Sequence, residues 1–202
     1  MPRLSAILLL LLLAVPAVAG ELNPVLSIGD KGPAWEKLPG VDGKQHSFTD
    51  LKEKEVLVVF FTCNSCEYAQ DYEDRIVAIS SKYAGKESKV GFVGINVNLI
   101  EADSLPKMKE KAEAKKFPFP YLFDETQKIA KDYGASSTPE FFVLDKDRKV
   151  VYMGSLDDNA DAKKAKVNYL QLAIDAALEG KLPEKKETPP LGCFIRWKRM
   201  RK

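Results

Sequence analysis

Histidine is almost missing from this chain of 202 residues: His46 stands alone, and only three cysteines, Cys63, Cys66 and Cys193, accompany it. A structural zinc site needs four ligands, usually as two cysteine pairs, so this composition excludes one and no metal is expected. His46 falls in a predicted turn and reads as an exposed polar residue. An excess of charge is missing too. The 31 Lys and Arg nearly cancel the 29 Asp and Glu, leaving a net charge of +2, so the body of the protein has no electrostatic footprint for nucleic acid or a membrane. Long apolar runs are confined to the first residues, and the remaining length fits one domain with a sizeable core.

The one leucine-rich run, residues 7–15, follows Arg3 and precedes Pro16 and the small residues Ala17-Val18-Ala19. A positive start, an apolar middle and a small-residue end describe a secretory signal peptide over residues 1–19. The run is shorter than the roughly 20 residues of a spanning helix, so cleavage and export to the periplasm or the extracellular space are expected rather than anchoring. At the other end, residues 196–202 carry five positive charges and Trp197. Such a tail can make weak contact with an anionic membrane surface, although a solvated terminus is the simpler expectation.

The cysteines are placed with more purpose than their number suggests. Cys63-Asn64-Ser65-Cys66 follows the apolar run Val56 to Phe61 and precedes a stretch of helical periodicity, so two thiols stand where a strand hands over to a helix. Unpaired N–H groups and the positive helix end favour a thiolate there. A second sulfur three residues on can close a disulfide with the first. Cys193 makes the count odd. It is either a third redox thiol on an arm or a small buried hydrophobe in a docked tail.

Residues 41–44 read as the turn of a small hairpin. Val56 to Phe61 and Val90 to Val97 read as strands buried on both faces. Between them Tyr68, Tyr72, Ile76 and Ile79 mark the inner face of a helix, with Asp71, Glu73, Asp74 and Arg75 on the wet side. Asp103 or Ser104 is expected to cap a helix running to about Lys116. The proline-rich segment 117–123 suits an edge, and Asp124 a cap for a short helix ending at Gly134. A hairpin joins Phe141 to Leu144 with Lys149 to Met153. A last helix is expected over 163–178, with Val167, Leu170, Ile174 and Leu178 inward, followed by a polar linker from Pro183 to Pro190.

Strand, CxxC, helix, strand, helix, Thr138-Pro139, hairpin and helix, in that order, resemble the thioredoxin superfamily. The strand and helix between Val90 and Phe123, with Phe-Pro-Phe-Pro, resemble its peroxiredoxin-related branch of redoxin or AhpC/TSA domains. The resemblance covers residues 28–180, leaving 181–202 as a linker and basic cysteine-containing tail. It implies an α/β fold with a central mixed sheet flanked by helices, an N-terminal hairpin and a peroxiredoxin-type strand-helix insertion. It also implies a cis Thr138–Pro139 bond facing the sulfurs, with the backbone of Thr138 pairing with a bound substrate strand. The end Gly192-Cys193-Phe194-Ile195 is similar to that of small exported redoxins.

The resemblance has gaps. Peroxiredoxins carry a Thr three residues before the attacking cysteine and a distant Arg. Here Phe60 stands three before Cys63, and Ser137-Thr138-Pro139 stands where the Arg would lie. Thioredoxins bury a carboxylate six residues before the first cysteine, where this chain has Leu57. The expected function is therefore disulfide exchange. Cys63 attacks, Cys66 resolves, and Asn64, Ser65, Thr138 and Pro139 meet the substrate. No cofactor is implied, and the partners are protein or small-molecule disulfides and thiols, with an external thiol reductant or oxidant. A thiol peroxidase of the AhpC/TSA type and a non-catalytic binding module of the same fold are the alternatives.

Overall fold

The computed structural model describes residues 20–198. The signal-peptide reading of residues 1–19 and the last four residues of the basic tail lie outside them. In chain order the elements are β1 (Leu38–Pro39), β2 (Gln45–His46), β3 (Val56–Phe61), α1 (Glu67–Ser81), β4 (Val90–Asn96), α2 (Leu105–Lys115), β5 (Tyr121–Phe123) and α3 (Lys128–Asp132). Then come β6 (Ser137–Thr138), β7 (Glu140–Leu144), β8 (Val150–Gly154), α4 (Tyr169–Leu178) and β9 (Cys193–Phe194).

Five strands form the central sheet in the order β5-β4-β3-β7-β8. β3 runs parallel to β4 and antiparallel to β7, so the sheet is mixed. Alternation along β3 divides the interior. Val56, Val58 and Phe60 pack with Tyr72, Ile76 and Ile79 of α1 and with Leu170 and Ile174 of α4. Leu57, Val59 and Phe61 face the opposite layer with Trp35, Ile129 and Tyr133. Side chains two residues apart share a face in any strand, and here both faces are covered, which is why β3 reads as an unbroken apolar run. The β1–β2 hairpin is present as expected, with the His46 ring 2.9 Å from Asp42. Among the described residues no helix is long and apolar enough to cross a membrane.

Several expectations need correction. Tyr68 is 44% exposed, because it sits in the first turn of α1, whereas Glu73 is buried. Lys111 and Lys115 of α2 reach Glu73 and neutralise it. The last helix starts at Tyr169 rather than 163. Asp158 accepts from the backbone N–H groups of Lys166 and Val167, which holds them in a turn, and the Asn168 side chain caps the helix through Gln171 N. The segment read as a linker is docked. Met153 N donates to Lys186 O and Thr188 N to Met153 O, while the buried Thr188 hydroxyl meets Tyr152 and Ser155. Gly154 permits this approach: its φ is +137°, and a Cβ there would stand 2.2 Å from Thr188 O.

Candidate functional site

The sulfur site is built on the end of β3. Thr62 N donates to Ile95 O, extending the ladder by one residue before the chain leaves the sheet. Asn64 and Ser65, between the two cysteines, are gripped by Asp103. Its carboxylate accepts from Asn64 N at 2.7 Å, from Ser65 N at 2.9 Å and from the Ser65 hydroxyl at 2.6 Å. Asp103 is fully buried, and Asn96 at the end of β4 donates to its carbonyl. Instead of capping α2, Asp103 caps the motif 38 residues upstream.

Asn64 is fixed on every side. Its amide donates to Ala102 O, its carbonyl accepts from Gln70, and its side-chain oxygen accepts from the Tyr121 hydroxyl. Burial holds the Tyr121 phenol well above its ordinary pKa, so it stays a neutral donor. The expectation that Asn64 and Ser65 present polar groups to substrate therefore changes. Those groups are satisfied inside the protein and position the motif.

α1 begins at Glu67, which makes Cys66 its N-cap; the sulfur accepts from Ala69 N at 3.4 Å. The helix end thus faces Cys66 rather than Cys63. Cys63 is 3% exposed. Its Sγ lies 3.3 Å from the Thr138 hydroxyl and 3.8 Å from that of Ser65. Beside it is a cavity of about 10 Å³, bordered by Asn64, Glu73, Phe119 and Tyr121, room for a single water.

The Thr138–Pro139 bond is cis. The turn before it is held by Glu140, whose carboxylate accepts from Ser136 N and Ser137 N. Burial pushes that carboxyl above its ordinary pKa, against the lowering effect of the serine donors. Thr138 then serves both motif cysteines: its hydroxyl meets Cys63, and its carbonyl oxygen lies 3.0 Å from Cys66 Sγ.

The disulfide expected between Cys63 and Cys66 is absent from this state. Cys66 is bonded to Cys193, 127 residues away, with a Cα–Cα distance of 6.0 Å, and Cys63 is free. The reason is the tail. β9 pairs antiparallel with β6, Cys193 opposite Thr138 and Phe194 opposite Ser137, and this delivers the third sulfur to the helix N-cap. Cys63, Cys66 and Ala69 form a buried cluster with Cys193 packed against it.

The AhpC/TSA family model matches residues 28–153. The chain belongs to the AhpC/TSA family. The fold of this AhpC/TSA domain is thioredoxin-like. An uncharacterized conserved protein of Geobacillus kaustophilus is 37% identical, with TM-score 0.80, over 94% of this chain and all of that one. A protein of Sinorhizobium meliloti 1021 is 30% identical at TM-score 0.80, covering 87% of this chain and 97% of the other. The thiol-disulfide oxidoreductase ResA of Geobacillus thermodenitrificans is 26% identical over 156 residues, 73% of this AhpC/TSA chain and 83% of the relative.

Of the site residues singled out in the sequence, the fold brings Cys63, Cys66 and Thr138 together, with Pro139 following in the cis turn; Asp103 and Glu140 were not among them. Asp103 gave no local signal beyond that of a helix cap.

Proposed function

We propose that this chain is a thiol-disulfide oxidoreductase whose reaction centre is Cys63 and Cys66. The observation that carries the reading is the convergence of both cysteines on Thr138, at a strand-helix junction held rigid by a buried carboxylate. In the dithiol state, the Cys63 thiolate attacks a disulfide sulfur of the substrate and one substrate thiol leaves. Cys66 then attacks Cys63, forming Cys63–Cys66 and releasing the second thiol. The Thr138 hydroxyl can donate to the Cys63 thiolate, and the Thr138 carbonyl can accept from the Cys66 thiol. The substrates are protein or small-molecule disulfides, turned over with an external thiol.

Disulfide exchange is favoured over peroxide reduction by what surrounds Cys63. Its hydrogen-bonding partners are the hydroxyls of Thr138 and Ser65, while Arg75 is tied to Asp157 and Arg148 to the carbonyls of Leu51 and Asp145. Export is supported by the composition of residues 1–19. The expected amino terminus of the secreted protein is near Gly20.

Insulin reduction with dithiothreitol tests the reading. Cys63→Ser is expected to lose at least about a hundredfold in rate, and Cys66→Ser to accumulate a mixed disulfide with substrate, visible as an adduct by mass spectrometry. Undiminished turnover in Cys63→Ser overturns it.

A further inference from the structure

The last described residues are bound as closely as a ligand. Beyond Cys193, Ile195 is buried in the core layer under the sheet and its N–H donates to Ser136 O. Arg196 N donates to the Asn98 side chain, and Gln127 clasps the strand twice, donating to Arg196 O and accepting from Lys198 N. On the near side, Gly192 lies so close to Thr138 that a Cβ would stand 2.3 Å from its carbonyl oxygen. Strand alternation turns Cys193 and Ile195 inward and leaves Phe194 83% exposed. These contacts position one sulfur, that of Cys193, against Cys66.

We propose that Cys193 is the third reactant of the exchange, and that the tail strand is a built-in substrate which takes the disulfide off the motif. The proposal rests on the reading of Cys63 and Cys66 given above. After substrate has been reduced and Cys63–Cys66 formed, the Cys193 thiolate attacks Cys66 Sγ. The Cys66–Cys193 bond forms, the Cys63–Cys66 bond breaks, and the electron pair leaves on Cys63, which takes a proton. One disulfide is exchanged for another, so no outside oxidant or reductant is consumed in this step. The product is the state seen here: Cys66 joined to Cys193, and Cys63 a free thiol beside the Thr138 hydroxyl.

The anchored linker makes this step local. The chain is fixed at Thr188, and the five residues to Cys193 reach at most about 18 Å. A released Cys193 thiol therefore stays at high effective concentration near Cys66. While docked, β9 also occupies the pairing edge of β6, so another polypeptide strand can use that edge only after the disulfide opens.

The test is disulfide mapping. Fully reduced full-length protein is mixed with one equivalent of oxidised glutathione, quenched in acid, alkylated and digested. The expected end state is Cys66–Cys193 with alkylated Cys63. Cys193→Ser is expected to end as Cys63–Cys66, and Gly192→Ala, which lifts the tail from Thr138, to shift the mixture toward Cys63–Cys66. In Cys63→Ser the Cys66–Cys193 bond is expected to appear about tenfold more slowly or worse, because its delivery through Cys63 is lost. An end state of Cys63–Cys66 in the unmutated protein overturns the relay, as does an undiminished rate of Cys66–Cys193 formation in Cys63→Ser. Insulin reduction keeps the two readings apart. If Cys63→Ser is inactive toward insulin while either overturning result is found, exchange at the motif stands and only the relay falls.

Discussion

The motif and the tail bring their sulfurs to one place by different means. Cys63 and Cys66 are carried by the most buried strand of the sheet and by the helix packed on it, and Asp103 satisfies the N–H groups between them. Cys193 is carried by a strand of two residues, held by Gln127, Asn98 and the Ile195 side chain. The first arrangement cannot loosen without opening the interior. The second is separable, because its contacts lie within one short segment beyond the Thr188 anchor. A relay needs both kinds of support: one pair of sulfurs that stays fixed and one that docks, bonds and leaves.

Stability measured in both redox states can break this comparison. The largest effect belongs to the disulfide. It closes a loop of 127 residues, and loop-closure entropy gives it about 5 kcal/mol. Urea unfolding is expected to show that loss on reduction and in Cys193→Ser; equal midpoints for oxidised and reduced protein would contradict it. Asp103→Ala comes next, at about 3 kcal/mol, since it strands buried donors at Asn64 and Ser65. That loss is expected in either redox state, and a loss confined to the oxidised protein would place Asp103 with the tail. Ile195→Ala is expected to cost about 2 kcal/mol in the oxidised protein and distinctly less after reduction, when the tail can undock. Equal losses would show that the tail never leaves.

The smallest effect concerns the turn both sides share. Because burial raises the Glu140 carboxyl above its unfolded value, its contribution to stability is fully present below the unfolded pKa and is lost as pH rises through the folded one. Glu140→Gln removes that titration. Its thermal midpoint relative to the unmutated protein is expected to climb with pH above about 4.5 and then level off. A difference independent of pH would contradict the assignment.

Much of this was legible in the chain. β3 and β4 announced themselves as apolar runs because both faces are covered, and the CxxC was placed correctly because a strand and a helical period flank it. Thr138-Pro139 was legible only through its resemblance to a known frame. What stayed hidden depends on contacts distant in sequence. Asp103 looks like a helix cap until β4 and the motif are set side by side. Glu73 looks solvent-facing until two lysines of α2 cover it. The linker looks free because the partner of Thr188 is Tyr152, 36 residues away. The pairing of Cys193 could not be read from spacing, since the register of β9 on β6 decides which sulfur it meets.

The order in which the two disulfides appear tests the central claim most directly. Rapid-quench mapping of the reduced protein mixed with oxidised glutathione is expected to show Cys63–Cys66 rising first and decaying as Cys66–Cys193 replaces it, with Cys63 returning as a free thiol. Formation of Cys66–Cys193 from the outset, with no earlier Cys63–Cys66, would contradict a relay through the motif.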